Sequence, residues 1–215
     1  MYVKIVKYWF VFLLFSYLCI PKYQSMEQTS QVIFEKNSIE FVTVAAEYCR
    51  FLEQAREMGR ETFVETALKL LPLLYLKTTL IPECERLDED ELEVFVTEED
   101  YEYIRMSVAN ILGSHDDYLE VFLPDMAYSD TPIQKCISED MADIYQDLKD
   151  FIEVFQLGNN STMNDSLCQC KEHFAEFWGQ RLVNTMRALH DVKYNQSESY
   201  DEESSSEEVA DEDLD

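Results

Sequence analysis

Residues 138–155, SEDMADIYQDLKDFIEVF, decide the fold class. Met141, Ile144, Leu148, Phe151 and Phe155 recur at steps of three and four, the spacing that places apolar side chains on one face of an α-helix. Ser138 is expected to cap the helix, and Gly158-Asn159-Asn160 to break it. Asp140, Asp143, Asp147 and Asp150 run alongside at spacings of three, four and three, an acidic stripe flanking the apolar one.

The same period continues on both sides. Upstream, Ile39, Val42, Ala46, Cys49 and Leu52 predict a first helix from Ser38, with Gly59 as its C-cap. Residues 60–80 carry Phe63, Ala67, Leu68, Leu71, Leu74 and Tyr75 nearly all round the cylinder, as a central helix does; Pro72 is expected to kink it and Pro82 to mark its end. Residues 83–96 are acidic and irregular. Thr97 then reads as an N-cap, with Glu98, Glu99 and Asp100 where carboxylates complement the helix dipole, and Tyr101, Ile104, Val108 and Ile111 facing inward as far as Gly113. A short fourth helix is expected over residues 116–123, ended by Pro124. The last helix, residues 164–194, turns Leu167, Phe174, Phe177, Trp178, Leu182, Met186 and Leu189 inward. No segment alternates with period two for long enough to require a sheet. The expected fold is an all-α, single-domain bundle of five to six helices over residues 30–195.

Composition agrees with long helices, since 215 residues contain only 4 Gly and 5 Pro. The 44 acidic residues against 17 Lys and Arg give a net charge of −27, which argues against a nucleic-acid groove because phosphate binding needs a basic footprint. The charge is uneven: residues 1–25 are at +3, residues 196–215 at −10, and the 170 between them at −20. The last stretch, QSESYDEESSSEEVADEDLD, has almost nothing apolar to bury and is expected to be a disordered acidic tail.

Residues 1–25 form a leader with three readings, a secretory signal or anchor, a misassigned start, and a structured helix. Lys4 and Lys7 precede an apolar run over residues 8–20, the order of a secretory signal, but small residues are missing at the cleavage positions near Ser25. The run is also too short for a stable transmembrane span. Met26-Glu27-Gln28 resembles an ordinary cytosolic start, which makes the upstream stretch translated leader DNA. The expected location is cytoplasmic if Met26 is the start, and exported or membrane-anchored if residues 1–25 are native.

Six cysteines, Cys19, Cys49, Cys84, Cys136, Cys168 and Cys170, are scattered over a domain large enough to stand without staples, and most are read as small apolar residues. Cys168-Gln-Cys170 has the form of a metal or redox pair, but no second Cys/His pair stands nearby at zinc spacing. Sequons occur at Asn159, Asn160, Asn164 and Asn195.

Two acidic groups are candidate sites. The stripe Asp140, Asp143, Asp147, Asp150 reads as a solvated face partly neutralised by Arg181 and Arg187 from the last helix, or as a cation or metal site, or as a dock for a basic protein partner. Glu98, Glu99 and Glu102 form an EExxE spacing of the kind helical nucleotide pyrophosphohydrolases use to hold Mg²⁺, with Asp117 and Glu120, or Asp140 and Asp143, as the second carboxylate pair. None of His115, His173 and His190 has a Glu three residues before it, so the Glu-x-x-His element of di-iron bundles is missing. There is no Gly-rich phosphate loop and no GxSxG elbow. The apolar run LLPLLYLKTTL over residues 70–80 and the cluster Phe174, Phe177, Trp178 read as core, or as a groove for a partner helix.

The words FVTVAAEYCRFLE (from Phe41), LLPLLYLKTTLIP (from Leu70), FVTEEDYEYIR (from Phe95), HDDYLEVF (from His115), MAYSDTPI (from Met126), SEDMADIYQDLKDF (from Ser138) and CKEHFAEFWGQRLVNTMRALH (from Cys170) stand in an order that resembles the bacterial domain-of-unknown-function family numbered 5063. The resemblance covers residues 38–194. It implies a small, acidic, helical bacterial protein and brings no catalytic residues with it. The expected function is a non-enzymatic protein-interaction module without a cofactor, the alternative being a Mg²⁺-dependent hydrolase of nucleotide phosphates.

Overall fold

The computed structural model describes residues 32–88, 91–120 and 133–195. The leader and the acidic tail lie outside the described residues. The elements are α1 (Lys36–Glu53), α2 (Arg60–Thr79), α3 (Glu98–Leu112), a two-stranded ribbon of β1 (Asp117–Glu120) and β2 (Ile133–Cys136), α4 (Ile137–Gln156), α5 (Asn160–His173) and α6 (Gly179–Tyr194). A π-helical turn, Phe174–Trp178, makes α5 and α6 one continuous rod. The fold is all-α apart from the ribbon.

The heart of the bundle is α4, the segment with the strongest three–four pattern. It contacts α1, α3, α5 and α6, and Met141, Ile144 and Leu148 are completely buried. Truncating such a side chain to Ala costs about 2–5 kcal/mol through lost transfer energy plus the cavity left behind. From α1, the Tyr48 hydroxyl donates to the Met141 carbonyl at 3.0 Å, and the Phe41 ring packs on Phe151 with centroids 5.3 Å apart. On the other side of α1, α2 packs chiefly against α1 and α6.

Caps account for several boundaries. Thr97 accepts from the Asp100 N–H while Asp100 accepts from the Thr97 N–H, a reciprocal capping box that starts α3 where the sequence places it. Gly113 ends α3 at φ +58°, and Gly158 breaks the chain after α4 at φ +75°. Asn159 caps α5 by accepting from the Ser161 N–H at 3.1 Å.

Four expectations are corrected. Of the helix expected over residues 116–123, residues 117–120 are strand β1, paired antiparallel with β2 in the register Asp117↔Cys136 to Glu120↔Ile133, and residues 121–123 lie outside the described residues. The pairing with β2 satisfies the backbone of this segment across the ribbon and turns Tyr118 and Glu120 inward in alternation. Ser138 does not cap α4: the helix starts at Ile137, and Asp116 caps it from across the ribbon, accepting the Ser138 N–H at 2.8 Å and its hydroxyl at 2.6 Å. Gly59 is not a C-cap but stands, at φ −76°, immediately before α2, because α1 ends at Glu53 and a short 3-10 turn follows. Ile39 and Phe177, both expected inside, are each 42% exposed.

Candidate functional site

The acidic stripe of α4 is brought together as the sequence implies, but most of it is engaged. Asp140 is buried and accepts from the Tyr118 hydroxyl of β1 and from Arg181 of α6 at 3.3 Å. Asp143 accepts from the same guanidinium at 2.5 Å and from the Tyr101 hydroxyl of α3 at 3.0 Å. Asp147 lies 2.6 Å from His173 Nδ1 of α5. Asp150 accepts the backbone N–H groups of Phe95 and Val96 at 2.7 and 2.8 Å. Each carboxylate therefore fastens a different element to the central helix. Burial pushes the carboxyls of Asp140, Asp147 and Asp150 above the usual range, while hydrogen bonds from Tyr118, His173 and the Phe95–Val96 backbone pull the other way.

Arg181 reaches the stripe, with its guanidinium 4.1 Å above the Phe177 ring. That contact explains the exposure of Phe177, which covers an ion pair rather than entering the core. Arg187 turns elsewhere and donates to the Leu119 carbonyl at 2.8 Å.

Between α4 and α5 the stripe opens into a cleft of about 470 Å³. Its carboxylates are Glu93, Asp143, Asp147, Asp150 and Glu176, with no lysine or arginine in its walls. Leu92, Val94, Phe151, Val154 and Phe177 supply apolar wall, and His173 the one imidazole. Leu92, Glu93 and Val94 belong to the segment between α2 and α3, which α5 holds in place. Asp165 accepts the N–H groups of Leu87 and Asp88 at 2.8 and 3.1 Å, Asn164 donates to the Glu85 carbonyl at 2.8 Å, and Lys171 donates to the Pro82 carbonyl at 3.2 Å. A disulfide from Cys84 to Cys168, Cα atoms 5.7 Å apart, completes the attachment. The sequence reading missed this bond, because two cysteines 84 residues apart carry no local signal. Asn164 is 2% exposed, so its sequon is inaccessible to a glycan.

Cys170, His173 and Asp147 all line the cleft, which raises the question of a thiol nucleophile. Cys170 is buried, and burial holds its thiol well above the ordinary range. A protonated, desolvated thiol is a poor nucleophile. The CxC pair is divided between a disulfide and this buried thiol.

The EExxE carboxylates are placed less favourably for a cation. Glu98 and Glu99 are exposed in the first turn of α3, and Glu102 is forked by Arg105, with Nη2 at 2.7 Å. Asp117 accepts from Cys136 Sγ at 3.5 Å, and Glu120 from Asn184 at 3.3 Å. Among the described residues no three His, Cys, Asp or Glu side chains are grouped so as to hold a metal ion. His190 stacks on Tyr194, ring centroids 4.6 Å apart. No described helix is long and apolar enough to cross a membrane.

Comparison with known proteins returns a family and a structure. No curated protein matches the chain. Among solved structures, the crystal structure of protein BF1032 from Bacteroides fragilis is 60% identical, covers 76% of this chain and 96% of its own, and superposes with a TM-score of 0.68. The model of a domain of unknown function, DUF5063, matches residues 32–195, the span of the helical domain described above. The chain belongs to the DUF5063 family.

Proposed function

We propose that the protein is a non-catalytic interaction module whose α4–α5 cleft receives a lysine or arginine side chain of a protein partner. The observation that carries this reading is a cleft in which Glu93, Asp147, Asp150 and Glu176 stand beside apolar walls and which, among the described residues, no lysine or arginine lines; its fifth carboxylate, Asp143, is already held by Arg181. A long cationic side chain has the matching form, an aliphatic stem that covers apolar surface and a charged head that meets carboxylates. The net charge of −27 steers basic partners toward such a cleft and repels acidic ones. The alternative, a Mg²⁺-dependent hydrolase, draws no support from the carboxylate positions: Glu102, Asp140 and Asp143 are already paired with arginines.

The test is fluorescence anisotropy of a labelled amphipathic lysine/leucine peptide with the full chain at low salt, repeated at high salt and with Glu93→Gln/Glu176→Gln. Both glutamates are exposed on the cleft rim, so the fold tolerates the change. Two rim charges worth roughly 0.5–1 kcal/mol each predict an affinity about tenfold weaker in the double variant. Binding indifferent to the double variant overturns the assignment of this cleft.

A further inference from the structure

A second surface is unlike the first in every respect. On the outer face of α2, Leu73, Leu76 and Leu80 are 41%, 52% and 42% exposed at spacings of three and four, with Pro72 exposed between turns. The start of α1 lies beside them, because Lys77 of α2 reaches Glu40 of α1 at 2.7 Å. There Phe34 and Ile39 are 57% and 42% exposed. Toward the other end of the helix pair, Leu70, Leu73, Phe51 and Met58 line a shallow groove of about 330 Å³ between α1 and α2.

The helix pair that builds this face is electrically neutral in a strongly acidic protein. Residues 36–79 contain six Lys and Arg and six Asp and Glu, a net of zero, whereas residues 80–195 contain eight and 26, a net of −18. Three of the surface acids here are paired with bases of the same two helices: Glu40 with Lys36 and Lys77, Glu47 with Arg50, and Glu65 with Lys69. A basic partner is drawn to the opposite side of the molecule, and an acidic one is repelled by the whole. Two copies of this chain, by contrast, meet across α1–α2 without placing like charge against like.

We infer that the α1–α2 face is a two-fold interface between two copies of this chain, with the Leu73–Leu76–Leu80 ridge of each copy packing into the α1–α2 groove of the other. An interface in which the same patch serves on both copies is the commonest closed symmetry. The five exposed side chains leave on the order of 400 Å² of apolar surface per copy, at the size where such patches mark interaction sites. Doubled, that is about 800 Å², so with the ion-paired rim around it the contact stands at the small end of specific interfaces, near about 1,200 Å², where association is weak and concentration-dependent. The inference is independent of the proposed cleft function, which uses another face.

Sedimentation velocity of the full chain across a micromolar concentration series tests it, alongside Leu76→Glu and a chain that starts at Met26. A dimer in both native-sequence chains, shifted to monomer by Leu76→Glu with unchanged helical circular dichroism, is the expected result. Where Leu76→Glu loses helicity, Leu80→Arg, one residue past the end of α2, serves in its place. A full chain that is monomeric throughout overturns the inference, as does a dimer indifferent to both substitutions. A monomeric full chain that dimerises only without residues 1–25 also overturns it, and identifies the apolar run 8–20 as the occupant of the face.

Discussion

Asp150 on α4 and Val96, just ahead of α3, are joined by a hydrogen bond of 2.8 Å in which a side-chain carboxylate takes the place of a strand partner. The same oxygen accepts the Phe95 N–H at 2.7 Å. Two backbone donors that would otherwise need water or a sheet are satisfied by one acid, and the segment that lines the cleft is fixed to the central helix. Asp150→Ala is expected to cost about 1–3 kcal/mol, and Asp150→Asn less, because an amide oxygen still accepts. Amide hydrogen exchange localises the effect: Phe95 and Val96 should lose protection in Asp150→Ala while the α4 core amides keep theirs. Unchanged protection at those two amides would show that the carboxylate is not their acceptor in solution.

Arg181 stands between two carboxylates, Asp140 and Asp143, whose side chains are 3% and 19% exposed. Replacing it with Met leaves two acids near one another without a cation, a loss of about 3 kcal/mol for a buried pair. Most of that loss is the cost of a stranded charge, so Asp140→Asn in the same chain should restore more than half of it. Chemical denaturation of the two single variants and the double variant measures the coupling; strictly additive losses would contradict the pairing.

Stability should rise as the solution is acidified from neutrality. The carboxyls of Asp140, Asp147 and Asp150 are raised from 3.8 in the folded state, chiefly by burial. Between the unfolded and the folded value the native state binds more protons than the unfolded one. Stability therefore falls as pH rises through that window and is recovered as pH falls through it. Relief of repulsion among 44 acids acts in the same direction. Glu40, Glu65, Asp100 and Glu102 are lowered by hydrogen bonds and oppose this, but they sit at the surface, where screening keeps the effect small. Thermal melts taken in steps down from neutrality should give a Tm that rises as the pH approaches the unfolded carboxylate range from above, with decline only below that range. A Tm that falls steadily from neutrality would mean that the surface pairs dominate.

What was legible in the sequence was periodic. The α4 stripe, the Thr97 cap and Gly113 could be read because helix spacing and capping are local, and so could the alignment of Asp140, Asp143, Asp147 and Asp150 on one face. What those aspartates touch was not legible, since Tyr118, Tyr101, His173 and Val96 arrive from elements 22 to 54 residues away. The β1–β2 ribbon failed for the same reason: residues 117–120 are too short a stretch for a period-two pattern to stand out, and only pairing with residues 133–136 makes them a strand. Asp116 replacing Ser138 as the cap of α4 is a third case of a tertiary partner displacing a local one.

Gly179 is a mid-rod glycine that helix propensity alone would mark as a weakness. At the end of the π turn, however, a Cβ at this position would collide with the Phe174 carbonyl oxygen and stand 3.0 Å from two carbons of its ring. The neighbours cannot yield easily, because Phe174 packs edge-to-face on Trp178 with centroids 4.7 Å apart and Trp178 is fully buried. Gly179→Ala, which in an exposed straight helix would stabilise by roughly 0.5–1 kcal/mol, is expected to destabilise here by about 1–3 kcal/mol. Urea denaturation followed by tryptophan fluorescence reads both the loss and any shift in the Trp178 environment. A stabilised variant would show that the rod can revert to a regular α-helix at no cost.

The Cys84–Cys168 disulfide closes a loop of 84 residues, and a cross-link of that span restricts the unfolded chain most. Chain entropy predicts a contribution of about 4 kcal/mol, within a usual range of roughly 2–5. Cys84→Ser should therefore unfold at lower urea than the oxidised wild type and at the same urea as the wild type held in dithiothreitol. The folded state should change little, because Asp165, Asn164 and Lys171 hold the same segment without the bond. Cys170 should stay unmodified by alkylating reagents in the native protein, its thiol being buried and protonated. A midpoint insensitive to reductant, together with alkylation of Cys84 and Cys168 in untreated protein, would show that the two are free thiols in solution. The segment would then be held on α5 by hydrogen bonds alone.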